Sequence, residues 1–366
     1  MRKMLLGFGL VLLISGGFYL RLHRAKPPID TAYAGDRQVT IWSTTAQVRE
    51  PVATVNFGDR LDVLDRVDEE VQVRTSNGVT GWTSQRDLIS ADSMQRSKDL
   101  DAAAAQSPVE ATGSLKALTN VHLDPGRDSP RIRQLSKDTH VDLFKREAVE
   151  IPGAQKAGTV DTSASATSSS QTISDRHESK DGRAESIGES NAEASDDVRK
   201  EDWWFVRGHL PDHSMTAGWI LGRFIDLDVP EPLPDYASSA GMRIVAWFEL
   251  NHVADPAAGS KPQYLVLGAH ASEGQACDFS LMRVYTWSQQ KERYETAFVD
   301  SSVCGKLPVK VSQQSSAPGA DATFSFEDLT GGSTPEKTYR MHQTMVRLVR
   351  PGRAGNSAPT SKKHPK

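Results

Sequence analysis

The sequence predicts a mainly β protein in which an N-terminal transmembrane helix leads into two small β-barrels and a C-terminal antiparallel β-sandwich or barrel. Three observations carry this expectation: short apolar runs separated by glycine and charged turns, a displaced internal repeat, and an apolar stretch directly after the first basic residues.

Arg2 and Lys3 precede an apolar run from Met4 to Leu20 that only glycines and Ser15 interrupt. At a helical rise of about 1.5 Å per residue this run nearly spans a hydrocarbon core of roughly 30 Å. Arg21, Arg24 and Lys26 follow it, and the small-x-small pattern of Ala32, Tyr33 and Ala34 lies well beyond it. Residues 1–30 are therefore expected to be an uncleaved, single-pass membrane anchor, with the bulk of the chain periplasmic or otherwise extracytoplasmic. Basic residues at both ends nearly cancel the positive-inside bias, so orientation is only weakly set.

Strand-like runs follow at Val52 to Val55, Leu61 to Leu64, Val71 to Val73 and the Gly81, Trp82 pair, which predicts a small β domain over 37–90. Residues 91–113 turn rich in Ala, Ser, Asp and Gln, with Pro108 among them, and read as a solvated linker or a weak helix around Leu100 to Ala105. A second β domain is expected over 114–228. Residues 152–200 within it are almost devoid of large apolar side chains and lack the burial needed to offset chain entropy, which marks them as a disordered insertion.

The two β regions repeat one another. Ile41, Val55, Leu61, Val63 and Leu64 are each followed 80 positions later by Val121, Leu135, Val141, Leu143 and Phe144. Past the polar insertion the offset becomes 133, matching Val71, Val73 and Arg74 with Trp204, Val206 and Arg207. It then becomes 137, matching Gly81, Trp82 and Leu88 with Gly218, Trp219 and Ile225. Insertions confined to two points are the mark of surface loops in a duplicated unit, where added length costs little entropy.

The residues that carry this repeat also resemble the bacterial SH3-like family. Its pattern of strands ending in a Gly-Trp doublet and a hydrophobic closing strand matches Val55 to Leu64, Gly78 to Trp82, and Leu88 with Ile89. The second copy matches at Asn120 to His122, Leu135 to Phe144, Trp203 to Arg207, Gly218 with Trp219, and Phe224 with Ile225. The usual Asn-Val-Arg opening is replaced by Thr40, Ile41, Trp42 in one copy and by Asn120, Val121, His122 in the other, so a ligand contact through that arginine does not carry over. The resemblance implies cell-wall peptides, peptidoglycan or protein segments as ligands.

Pro230, Pro232 and Pro234 define a proline-rich hinge over 229–240, ahead of a C-terminal β domain over 241–350 and a disordered tail over 351–366. Strand candidates are Arg243 to Leu250, Gln263 to Ala269, Phe279 to Trp287, Tyr294 to Val299, Leu307 to Val311, Ala322 to Phe326 and Tyr339 to Val349. Their short spacing fits an antiparallel sandwich or barrel better than an α/β enzyme.

A formal net charge of -4 and a pI near 6.2 provide no basic field for a polyanion, so nucleic acid is not an expected partner. Trp42, Trp82, Trp203 and Trp219 are the candidate ligand-stacking residues, because an indole offers a broad apolar face at little rotamer cost. For Trp82 and Trp219 the core reading is preferred; Trp42 and Trp203 are expected at more exposed edges. Cys277 and Cys304 are the only cysteines. In an oxidising compartment they are expected to form a bridge, worth about 3 kcal/mol by loop entropy, the alternative being two buried thiols.

His209 and His213 have the i, i+4 spacing of a helical metal pair, but Pro211 between them breaks such a helix, so they read as solvated histidines. No metal site or cofactor is expected, and no nucleophile elbow, phosphate loop or dinucleotide turn is present. The expected function is non-catalytic: a membrane-anchored envelope protein that binds peptidoglycan or envelope proteins. A wall hydrolase or amidase with a catalytic C-terminal domain, using Cys304 or a serine beside a histidine, is the alternative, as is a scaffold for other envelope proteins.

Overall fold

The computed structural model describes residues 26–151, 199–270, 273–313, 319–331 and 336–349. The expected anchor from Met4 to Leu20, most of the insertion and the C-terminal tail lie outside the described residues. Among the described residues no helix is long and apolar enough to cross a membrane.

The chain is mainly β, and among the described residues every sheet is antiparallel. The first sheet comprises β1 (Asp30–Ala34), β2 (Gln38–Trp42), β3 (Pro51–Asn56), β4 (Arg60–Val67), β5 (Glu70–Arg74), β6 (Thr80–Ser84) and β7 (Leu88–Ser90), in the order β3-β2-β6-β5-β4-β1-β7. The second comprises β8 (Ala111–Leu115), β9 (Thr119–His122), β10 (Arg131–Leu135), β11 (His140–Glu150), β12 (Lys200–His209), β13 (Met215–Leu221) and β14 (Ile225–Leu227), in the order β10-β9-β13-β12-β11-β8-β14. Every strand of the second sheet thus occupies the place of the strand seven earlier in the first. Even the short 3-10 turns agree, Gln85–Asp87 before β7 and Gly222–Phe224 before β14.

Two pairs of residues show why the sequence repeats where it does. A Cβ on Gly81 would lie 2.5 Å from the Trp42 carbonyl oxygen and 2.6 Å from the Ile41 side chain. On Gly218 it would lie 2.8 Å from the His122 oxygen and 2.4 Å from Val121, the corresponding atoms of the second copy. Glycine is required because two strands cross there in contact. The ion pair of Arg74 with Asp62 (2.8 Å) likewise returns as Arg207 with Asp142 (2.7 Å).

The expected linker is occupied largely by helix α1 (Ala91–Gln106), longer than the weak helix read from Leu100 to Ala105. Ser90 caps it by accepting from the Ser93 amide, and Ala102 to Ala105 favour helix by propensity. Met94, Ser97 and Ala104 are buried on one face, and the Asp101 carboxylate accepts the Ala217 amide of β13 at 2.6 Å. A mostly small, polar composition conceals this docked face from a periodicity reading. The expected hinge similarly contains α2 (Leu233–Ser239), whose Leu233 and Ala237 are buried.

The C-terminal region forms two four-stranded meanders. One runs through β15 (Arg243–Asp255), β16 (Gly259–Ala269), β17 (Leu281–Ser288) and β18 (Arg293–Asp300), the other through β19 (Gly305–Gln313), β20 (Ala322–Asp328), β21 (Glu336–His342) and β22 (Met345–Leu348). The single strand read from Tyr339 to Val349 is instead a hairpin, turned at Gln343 with a φ of 54°. Phe324, Phe326 and Tyr339 stack in its interior.

The first copy has its own small core, built on Val39, Ile41, Leu61, Val63 and Val73. The second copy shares one contiguous core with both C-terminal meanders. A buried ion cluster fixes this junction: Arg146 of β11 donates to Asp202 of β12 at 2.5 Å and to Asp278 at 3.1 Å, with all three side chains at most 3% exposed. The carbonyls of Gln275 and Cys277 accept from the same guanidinium, and Lys306 donates to Asp278 at 2.8 Å. Cys277 and Cys304 are joined by a disulfide beside this cluster, their α carbons 4.9 Å apart.

Removing one member of a buried ion group strands the others in low dielectric. Arg146→Met should therefore cost about 3–5 kcal/mol in chemical denaturation, far more than loss of an exposed pair such as Arg86 with Glu69. A second expectation concerns Glu110, which accepts the Val309 amide of β19 at 2.9 Å. Burial pushes its carboxyl up to about 7 from an ordinary 4.5, against the lowering effect of that hydrogen bond. A raised folded pKa means the contribution is whole below pH 4.5 and is lost as pH rises through about 7. Glu110→Gln should melt above the wild type at about pH 8, with the gap closing by about pH 5.

Candidate functional site

In the first copy, strand alternation sends Ile41, Gly81 and Thr83 inward and leaves Trp42 and Trp82 half-buried on the outer face. The two tryptophans face one another across the β2–β6 ladder, and Gln72 of β5 faces Trp82 from the other side. Arg49 lies 4.6 Å over the Trp42 ring and 3.5 Å from Glu70, so a cation and an anion border the indoles. Trp82 is absent from the core of this copy, contrary to the preferred core reading.

The same face of the second copy is closed. Trp219 corresponds to Trp82, Phe205 to Gln72 and Trp203 to Glu70. With Phe144, Ala217 and Leu221 they form an apolar cluster completed by Ala104 and Leu100 of α1. Trp203 and Trp219 are 3% and 5% exposed, so neither presents a surface to a ligand in this arrangement. Trp203, expected at an exposed edge, instead packs edge-on against His122 at 5.3 Å. The sequence reading divided the four tryptophans by position within the repeat; the helix docked over one copy divides them by copy instead, Trp203 and Trp219 buried, Trp42 and Trp82 open.

At one end of the second copy, His140 and Asp142 of β11 stand beside Arg207 and His209 of β12. Asp142 faces Arg207 in the ladder and accepts from its Nε and Nη2 at 3.0 and 2.7 Å, all on Oδ2. His209 Nε2 lies 2.8 Å from the same oxygen, and the two imidazole rings are 5.4 Å apart. Burial pushes the Asp142 carboxyl up, but the hydrogen bonds from Arg207 and His209 outweigh it and hold the group below its usual range. His213, whose i, i+4 spacing to His209 was set aside because of Pro211, sits in a turn with a φ of 62°. His140 escaped notice because it lies 69 residues away in the chain; superposing the two repeats would have exposed it.

Cys304 lies in the disulfide and has no free thiol to act as a nucleophile. The histidine ring hydrogen bonds of the described residues run to the Asp142 and Asp321 carboxylates and to the Ser129 carbonyl, none of them to a serine hydroxyl. A cleft of about 930 Å³ opens between the second copy and the C-terminal region, lined by Lys116, Arg223, Arg243, Asp226, Glu231 and Glu273 among others. Charges of both signs are mixed along it.

No family model and no curated protein matches the chain. Among solved structures, an NlpC/P60 family protein from Bacillus cereus aligns over 61% of this chain at 12% identity, with a TM-score of 0.20. This chain spans 65% of that protein's length. NlpC2 from Trichomonas vaginalis aligns over 89% of this chain and 100% of its own length at 9% identity, with a TM-score of 0.16. Superposition at that level carries no argument about fold or chemistry.

Tryptophans on open and closed faces should respond differently to truncation. Trp219→Ala should lower unfolding free energy by about 3–5 kcal/mol, while Trp82→Ala should cost about 1 kcal/mol or less. Equilibrium denaturation of the two variants measures the difference.

Proposed function

We propose that this chain is a non-catalytic binding protein of the bacterial envelope, tethered through its N-terminal segment. In this reading two SH3-like barrels precede a C-terminal β-sandwich, and the first barrel binds the peptide stems of peptidoglycan. The observation that carries the reading is the open outer face of the first copy, whose counterpart in the second copy is sealed by α1. One repeat keeps its indoles for internal packing; the other holds Trp42 and Trp82 where a ligand can reach them.

The chemistry bordering the indoles favours a short peptide with both charges. Glu70 can meet an ammonium and Arg49 a carboxylate, while the rings of Trp42 and Trp82 take up aliphatic side chains and Gln72 supplies hydrogen bonds. A short peptide stem offers free amino and carboxyl groups together with a polar amide backbone and small aliphatic side chains. The second barrel and the meanders serve as the rigid body behind this face, because they share one core.

The test is co-sedimentation of the purified full-length chain with isolated sacculi. Wild-type protein should be retained, and Trp42→Ala and Trp82→Ala should each weaken retention about tenfold while remaining folded, with melting lowered by only a few degrees. Protein that stays in the supernatant would defeat the reading. Retention that survives the Trp42→Ala/Trp82→Ala double variant would remove the face from it.

A further inference from the structure

We infer that His140, Asp142 and His209 form a divalent transition-metal site, best suited to Zn²⁺. The three side chains each offer one ligand atom, and these atoms lie within 4.8 Å of one another. They come together because His140 and His209 lie two residues along β11 and β12 from the paired Asp142 and Arg207, beyond the Val141–Gly208 pair, and period-2 alternation puts all four on one face. Two imidazoles and a carboxylate make a donor set of the hardness Zn²⁺ takes, with a fourth position left for water.

The distances suit the ion with small adjustment. A tetrahedral zinc with bonds of about 2.0–2.1 Å places neighbouring ligand atoms roughly 3.3 Å apart. His140 Nε2 is 3.9 Å from Asp142 Oδ1, and His209 Nε2 is 2.8 Å from Asp142 Oδ2. Both rings are partly exposed, 49% and 40%, and can turn without disturbing the core. Arg207 does not occupy the site: its two bonds fall on Oδ2 and leave Oδ1 to face His140.

The surroundings of His140 add an independent observation. While its Nε2 faces Asp142, its Nδ1 lies 3.6 Å from Asp228 Oδ2, just beyond β14. A carboxylate hydrogen-bonded to the far nitrogen of a ligating imidazole fixes its tautomer and orients the lone pair toward a metal, and a small turn of the exposed ring would bring Asp228 into that bond. The first copy shows what the same fold does without this chemistry. Its equivalents of His140 and His209 are Arg60 and Ser76, and Arg60 stands 3.8 Å from Asp62. Only the second copy has exchanged a permanent cation for a pair of metal-binding rings.

The test uses the full-length chain, free of any histidine tag, purified in detergent and stripped of metal. Zn²⁺ is titrated against a chromophoric competitor, and the melting temperature is read with and without the ion. Wild-type protein should bind one Zn²⁺ per chain through this site and melt higher in its presence. His140→Arg and His209→Ser install the residues the first copy already accommodates, so they should fold while losing at least tenfold in affinity and the zinc-dependent rise in melting. Asp228→Asn should lose about tenfold. His252→Ala, a change outside the cluster, should match wild type. Wild-type protein without stoichiometric zinc, or a His140→Arg/His209→Ser double variant that keeps wild-type affinity, would overturn the assignment.

Discussion

The guanidinium of Arg146 is the constraint around which the larger half of the molecule is arranged. It is sealed from water between two aspartates and two carbonyls drawn from two separate parts of the chain. Such a charge is tolerated only when its partners are held in place. The β11–β12 hairpin supplies one anion, and the disulfide-bounded segment ahead of β17 supplies the other together with the carbonyls. The Gly274 amide adds a bond to Asp202 at 2.7 Å, which aligns that segment further. The second repeat and the C-terminal meanders consequently behave as one packed unit, whereas the first repeat rests beside them through Tyr33, Phe57 and Ile89.

Duplication followed by unequal covering explains how the two repeats came to differ. Both keep the strand order, the crossing glycine and the Asp–Arg pair, which are the features the fold itself requires. They differ in what lies over the outer face and at the end of the β11–β12 ladder. In one, polar residues surround two accessible indoles. In the other, aromatic replacements attract a helix, and histidines replace an arginine and a serine.

Much of this was legible in the sequence because period-2 alternation and the Gly-Trp doublets are local signals. The constant offsets located equivalent strands, and the run of short β segments after Arg243 identified the C-terminal region as antiparallel. Helix α1 was less visible, since its buried face consists of Met94, Ser97 and Ala104 and its docking partner is a distant sheet. The burial of Trp203 depends on that same helix and was therefore misjudged with it, whereas Trp219 is buried as expected and Trp82, expected in the core, is not. The Arg146 cluster and the His140–His209 pair join residues far apart in the chain, and no spacing rule reaches across such separations.

The separate core of the first repeat has a mechanical consequence. Its interior is small, and few side chains bind it to the body behind it. If tension enters through the N-terminal segment, β1 is the first strand to feel it, lying next to the edge of its sheet between β4 and the edge strand β7. The repeat can then yield as an independent fuse, lengthening the chain ahead of α1 while the doubly stapled remainder keeps its shape.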